Sequence, residues 1–143
     1  MYTLHDVSEF VAKQTGVKRT KITPESRLVE DLGLEGDDFF ELEHAFAQRF
    51  NVDRSGYRWY LHHAEEGVAS LGALFFPPPN IRVGHIPVTI TLLLNAANAG
   101  KWTIEYPAHR LPPRRYDLAI NLIVLIVLVL ATLLAILHHL KVL

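Results

Sequence analysis

Two adjacent histidines followed by two glutamates are the residues whose types best suit metal binding or proton transfer, namely His62, His63, Glu65 and Glu66. Imidazole and carboxylate groups are common zinc ligands. A helix presents two histidines to one metal ion when they lie four residues apart, whereas these two are neighbours in a segment without helical periodicity. We therefore expect no metal site here, and a small enzyme that uses these four residues is kept as one alternative function.

Acidic residues are concentrated between positions 25 and 43, where eight acids and one arginine, Arg27, give a local charge of minus seven. A dense acidic surface attracts basic partner proteins and orients their association. A solvated helix face with acids near its N-terminus explains the same pattern, so both interpretations stay open. The acids are Glu25, Glu30, Asp31, Glu35, Asp37, Asp38, Glu41 and Glu43.

The overall composition excludes several classes of function. The 143 residues include no cysteine, so disulfides, iron-sulfur clusters and thiol nucleophiles are absent. A net charge of -1 argues against nucleic-acid binding. The first ten residues, MYTLHDVSEF, carry two acids and lack an apolar core, so we expect no signal peptide.

The most apolar stretch runs from residue 118 to residue 137, where only Asn121 and Thr132 are not apolar. A helix of that length, rising about 1.5 Å per residue, spans roughly 30 Å, which is the hydrocarbon thickness of a bilayer. The sequence therefore predicts one C-terminal transmembrane helix at 118–137. A Pro/Arg-rich juxtamembrane linker, 106–117, precedes it and a short tail, 138–143, follows it.

The charges that flank this stretch predict its orientation. Three arginines lie just before it, whereas only one lysine and two histidines follow it. By the positive-inside rule, the N-terminal domain lies in the cytoplasm and the chain is tail-anchored in the inner (cytoplasmic) membrane. Ala131 and Ala135 form a small-xxx-small pair, which predicts weak self-association of the span. The flanking residues are Arg110, Arg114, Arg115, His138, His139 and Lys141.

Three amphipathic helices are predicted within residues 1–105, at 4–15, 37–50 and 90–99. Thr3 with Asp6 has the pattern of a capping box for the first, and Thr89 caps the third. Gly16 and Gly100 are typical residues for ending these two helices.

The second helix places its apolar side chains at spacings of three, four and four, which gives one buried stripe: Phe39, Leu42, Phe46 and Phe50. Residues 17–35 form a long connection whose expected core anchors are Ile22, Leu28, Leu32 and Leu34. Residues 51–86 are irregular, and five of their aromatic side chains are expected to fold back on the helices: Tyr57, Trp59, Tyr60, Phe75 and Phe76.

The stretch ITPESRLVEDLGLEGDDFFELEHAFAQRFNVD, residues 22–53, resembles the acyl carrier protein family, with its long loop, Asp-Leu-Gly signal and acidic second helix containing Glu-Leu. Together with LLNAANAGKW at 93–102, the run DLGLEGDDFFEL is more similar to a bacterial family of acyl-carrier-like domains of unknown function. The resemblance implies an all-α fold, a small acyl-carrier-like helical bundle over residues 1–105.

The sequence departs from carrier proteins at one decisive position. The family has a serine in an Asp-Ser-Leu triplet at the start of helix two, and 4'-phosphopantetheine is esterified to that serine. Here the triplet is Glu35, Gly36 and Asp37, and glycine has no side-chain oxygen. Gly36 therefore occupies the attachment position without being able to carry the group, and we expect no cofactor.

Three functions follow from these patterns. The preferred one is a non-catalytic, membrane-anchored interaction module that binds a basic cytoplasmic or membrane-associated protein through Glu35, Asp37, Asp38, Glu41 and Glu43. The second is a functional acyl or peptidyl carrier with an atypical attachment site. The third is the small enzyme that uses the loop histidines and glutamates.

Overall fold

The computed structural model describes residues 1–65 and 70–140, and within these ranges the chain is helical, with isolated β-bridges but no named strand. The α-helices are α1 (Leu4–Thr15), α2 (Gly36–Phe50), α3 (Leu71–Phe75), α4 (Pro79–Arg82), α5 (Ile90–Ala99) and α6 (Tyr116–His139). Two 3-10 turns, Arg19–Lys21 and Trp59–Leu61, complete the elements.

The chain divides into two compact units. Among the described residues, the first unit holds residues 1–65 and 83–109, and the second holds residues 70–82 and 110–140. Residues 70–82 therefore group with the C-terminal helix, which the sequence did not indicate.

Local capping signals determine where α1 begins and ends. The Thr3 hydroxyl accepts from the Asp6 N–H at 3.3 Å, and the Asp6 carboxylate accepts from the Thr3 N–H at 2.7 Å. This reciprocal capping box satisfies two amide groups that have no partner within the helix. Gly16 then adopts φ +71°, a left-handed conformation that glycine tolerates, and α1 ends. The predicted helix 4–15 is confirmed.

The other two predicted helices are also confirmed. Helix α2 begins one residue earlier than expected, at Gly36, and ends where Asn51 adopts φ +52°. Its apolar stripe of Phe39, Leu42, Phe46 and Phe50 is buried. Helix α5 begins at the Thr89 cap, whose hydroxyl accepts from the Leu92 N–H at 3.2 Å.

The core of the first unit lies where α1 meets α2 and α5, because each of these helices turns its apolar face inward. The long connection is anchored by Ile22, Leu28 and Leu34, which are buried as expected, while Leu32 is partly buried against the same core. An isolated antiparallel bridge between Arg27 and Thr89 joins this connection to the start of α5.

The aromatic segment follows the prediction only in part. Tyr57 packs edge-on against Trp102 with ring centroids 5.0 Å apart, and Trp59 and Tyr60 are half-buried. Phe75 and Phe76 are exposed, so the expectation that they fold back on the helices is wrong. The physical reason is that α3 belongs to the second unit, where it packs on α6 through Gly72.

Helix α6 is long enough and apolar enough to cross a membrane, and no residue of its most apolar stretch is buried. It extends two residues beyond the predicted span at each end. Asp117 in its first turn is buried and accepts from the Arg115 guanidinium at 2.6 Å. The fold is therefore a small helical bundle followed by one candidate membrane span.

Candidate docking surface on helix α2

The Asp-Leu-Gly turn before α2 is closed by an ion pair. The Asp31 carboxylate accepts from the Arg27 backbone N–H at 2.8 Å and from Arg27 Nε and Nη2 at 2.9 and 2.8 Å. These hydrogen bonds to the Arg27 side chain and backbone lower the pKa of Asp31 to about 2. Gly33 follows with φ +72°, and the chain then enters the corner that leads into α2.

Gly36 forms that corner with φ +48° and is buried. The left-handed conformation costs a residue with a side chain roughly 1–2 kcal/mol of conformational energy, so glycine is the residue that suits this position. The position has neither a side-chain oxygen nor a backbone conformation that a serine readily adopts. Gly36 therefore offers no side-chain group to which 4'-phosphopantetheine could be esterified.

Four of the five acids proposed for partner binding lie on one exposed surface. Asp37 and Asp38 occupy the first turn of α2, close to the positive end of its dipole, and Glu35 is the N-cap residue without a side-chain capping bond. Glu41 follows in the second turn. All four are exposed, and among the described residues none of them forms an ion pair.

Glu43, the fifth acid predicted to bind a partner, does not belong to this surface, because its side chain is buried. The residue follows Phe39 by four positions and precedes Phe46 by three, which places it on the inward side of the helix. Its side chain is 2% exposed and binds Arg54 in a bidentate pair, with Arg54 Nε 2.7 Å from Glu43 Oε1 and Nη2 2.6 Å from Oε2.

Arg54 lies beyond the end of α2 and reaches back along it. Besides the Glu43 carboxylate, its Nη1 lies 2.9 Å from His44 Nδ1. Because a guanidinium only donates, His44 Nδ1 accepts in this contact. The other ring nitrogen, Nε2, lies 2.9 Å from Gln48 Nε2, so Arg54, His44 and Gln48 follow one another along the helix.

The same arginine supports an exposed aromatic ring that the sequence analysis overlooked. Phe40 is 51% exposed on α2, with the Arg54 guanidinium carbon 6.0 Å from its ring centroid. The His44 ring stacks on it with centroids 6.2 Å apart. The sequence signal was available, because Phe40 directly follows Phe39 and therefore cannot share its buried face.

A shallow cleft of about 120 Å³ borders the acidic surface between α1 and α2. It is lined by Gln14, Thr15, Leu34, Asp38, Glu41 and Leu42. Two carboxylates flank an opening of mixed polarity, and this arrangement suits a cationic side chain with an apolar stem. We call the surface formed by Glu35, Asp37, Asp38, Phe40 and Glu41 the α2 acidic face.

Arginines pair with two of the eight acids and a histidine contacts a third. Asp31 pairs with Arg27, Glu43 pairs with Arg54, and the Glu30 carboxylate accepts a hydrogen bond from His85 Nε2 at 3.0 Å. Among the described residues, the acids without such a contact are the four in the N-terminal half of α2 and Glu25 in the preceding loop.

The loop histidines serve as packing residues in the first unit. His62 is fully buried, with Nδ1 2.8 Å from the Ile86 carbonyl oxygen and Nε2 2.7 Å from the Tyr106 hydroxyl. Since the carbonyl only accepts, Nδ1 carries the proton and Nε2 accepts from Tyr106. Burial lowers the pKa of His62 to about 4, so the ring is neutral.

His63 is also buried, and its ring stacks on Phe39 with centroids 4.6 Å apart. Within residues 1–65 and 70–140, no group of three His, Cys, Asp or Glu side chains is arranged to hold a metal ion. Glu66 lies outside the described residues. His62 and His63 thus connect their loop to the core of the first unit.

Similarity to known proteins assigns this helical bundle to the class of acyl-carrier-like domains. Residues 2–105 match the model of a family described as protein of unknown function (DUF1493). The chain belongs to this family.

Curated relatives point to the same class. An acyl carrier protein of Buchnera aphidicola is 43% identical over 47 residues, 33% of this chain and 60% of the relative. One of Helicobacter pylori is 34% identical over 53 residues, 37% of this chain and 68% of the relative. The acyl carrier protein AcpXL of Rhizobium etli is 29% identical over 73 residues, 51% of this chain and 78% of the relative.

The chain thus spans 60% of the length of the Buchnera relative and somewhat more of the other two. No solved structure matches it.

Proposed function

We propose that this chain is a membrane-anchored, non-catalytic docking module on an acyl-carrier-like fold, and that its α2 acidic face binds a basic surface of a cytoplasmic or membrane-associated protein. The observation that supports the proposal is the exposed acidic face beside Gly36, the glycine that the resemblance puts at the attachment position. The chain has an acidic second helix like the one through which carrier proteins are expected to dock, and it has no serine at the position that would carry the prosthetic group.

The chemistry of the face favours a protein partner. Exposed carboxylates steer a basic surface during encounter, and an aromatic ring among them supplies an apolar anchor of the kind found at the centre of binding sites. The relatives named above are acyl carrier proteins, and the resemblance implies that such proteins dock through their acidic second helix.

Helix α6 supplies the anchor in this proposal. By the positive-inside rule, the arginines that precede it favour a cytoplasmic location of the first unit at the inner membrane. Ala131 and Ala135 lie on α6 as a small-residue pair through which two spans would associate weakly.

The docking proposal is tested with a photo-crosslinking phenylalanine analogue at position 40 in native membranes. We expect a crosslink to a basic protein that is strongly reduced by Glu41→Lys and unchanged by Glu9→Lys. The control is closely matched, since both glutamates are exposed, each is the sixth residue of its helix, and each reversal changes the net charge equally. Equal crosslinking in both variants would refute the role of the α2 acidic face.

A second measurement separates the module from a working carrier with an atypical attachment site. The full chain is co-expressed with a phosphopantetheinyl transferase, and its intact mass is measured. We expect no added prosthetic group, and a mass increase equal to phosphopantetheine would establish the carrier function instead.

A further inference from the structure

Helices α3 and α4 of the second unit expose large apolar side chains. Leu74 is 76% exposed and Phe75 is 71% exposed, and Leu71, Phe76 and Ile81 in the same segment are exposed as well. Large exposed apolar side chains concentrated in one short segment mark a contact with another molecule or with a membrane.

The position of α3 against α6 is fixed by specific contacts. Asn121 Oδ1 accepts from the Gly72 N–H at 2.9 Å, and Asn121 Nδ2 donates to Ser70 Oγ at 2.7 Å. Gly72 lies so close to the backbone of Asp117 that a Cβ atom there would collide with the Asp117 carbonyl oxygen. Helix α3 is therefore held against the first two turns of α6.

Because of these contacts, α3 lies at the same height along the axis of α6 as Asn121. An amide inside a bilayer is costly unless its donors and acceptor are paired, and here α3 provides the partners. Asn121 lies four residues after Asp117, which is about 6 Å farther along the helix axis. When α6 spans a bilayer, α3 enters the same leaflet beside it.

The residues that follow α3 suit the boundary between lipid and water. Pro77, Pro78 and Pro79 have no backbone N–H, which reduces the number of donors that an apolar environment would leave unpaired. Phe76 packs on Tyr116 with ring centroids 5.5 Å apart, and Arg82 and Arg114 line the same small cleft. Aromatic and arginine side chains are typical of the headgroup region.

We propose that residues 70–82 form a second membrane-contacting element, which inserts Leu74 and Phe75 into the interfacial zone of the bilayer that α6 crosses. Arg82 and Arg114 face the lipid phosphates. The partner is the lipid surface itself, because α3, which carries Leu74 and Phe75, packs on the helix that spans the bilayer and whose own apolar stretch is unburied. The inference rests on the proposed anchoring by α6.

Spin labels on single cysteines test this placement, and the natural absence of cysteine makes each introduced one unique. The full chain is reconstituted in liposomes of phosphatidylcholine and phosphatidylglycerol with Leu74→Cys or Phe75→Cys. Ile126→Cys serves as the mid-span reference and Gln48→Cys as the aqueous reference. Collision of each label with oxygen and with a water-soluble nickel chelate is measured.

We expect the ratio of oxygen to nickel accessibility at positions 74 and 75 to shift from the value at 48 toward the value at 126. Ratios equal to the aqueous reference, with position 126 in lipid, would overturn this inference alone. Labels shielded from both reagents would also overturn it, because a second copy or another protein would then cover the patch. A water-like ratio at position 126 would overturn the proposed anchoring as well.

Discussion

The buried ion pair between Glu43 and Arg54 gives the sharpest stability prediction for the first unit. Replacement of Arg54 by alanine leaves a carboxylate that is 2% exposed without its bidentate partner. Breaking a buried pair in this way costs about 3–5 kcal/mol. The Arg54 side chain is itself 33% exposed, so water enters when it is removed, and we expect a loss near the lower end, about 3 kcal/mol.

Urea unfolding of the full chain in mild detergent measures this loss. Tryptophan fluorescence is a suitable signal, because Trp59 and Trp102 both belong to the first unit. With an m-value of about 1.5 kcal/mol/M, the midpoint of Arg54→Ala lies about 2 M below that of the wild type. In a Glu43→Gln background the same Arg54 substitution removes no ion pair, so its additional cost falls to about 1 kcal/mol.

The double-mutant cycle decides whether this reasoning holds. If Arg54→Ala costs as much in the Glu43→Gln background as it does in the wild type, the carboxylate and the guanidinium are not coupled. A total loss below about 1 kcal/mol would place the pair among exposed salt bridges and contradict the burial of Glu43.

Three further outcomes are expected. Gly36→Ser lowers the unfolding free energy by roughly 1–2 kcal/mol because of its positive φ, and an unchanged urea midpoint would contradict the left-handed corner. As the pH drops from 6.5 to 4, His62 binds a proton in the unfolded chain but stays neutral in the folded chain, so the unfolding free energy falls by about 3 kcal/mol. His62→Gln should flatten this dependence of the unfolding free energy on pH. The methyl group of Gly72→Ala clashes with the backbone of Asp117, so this variant should change the mobility of a spin label at position 74. Gly84→Ala is the control, because its methyl group meets no atom within 4 Å and the mobility of the label should stay the same.

Local signals in the sequence predicted the helices of the first unit. The capping box of Thr3 with Asp6 and the left-handed Gly16 act within a few residues of the helix ends that they define. The stripe of α2 depends on helical periodicity alone, so it too is readable without the fold. These features need no knowledge of what packs against them.

Contacts between distant residues account for the errors. Glu43 was assigned to the surface because of its charge, although helical spacing places it on the inward side of α2. What the spacing does not indicate is the partner that neutralises the buried carboxylate, because Arg54 returns to it only after Asn51 reverses the chain. The position of α3 depends on Asn121, 49 residues after Gly72. No local pattern of residues 70–76 indicates that pairing, so the sequence suggested the wrong surroundings for Phe75.

Folding accounts for some of the acids on α2 but not for the whole α2 acidic face. Asp37 and Asp38 lie in the first turn, where a carboxylate near the helix N-terminus contributes about 0.3–1 kcal/mol without any partner. Glu41 lies in the second turn, beyond most of that effect, and Phe40 exposes half of an aromatic ring beside it. Because neither residue gains stability from its exposure, Phe40 and Glu41 are the positions at which docking can be separated from folding.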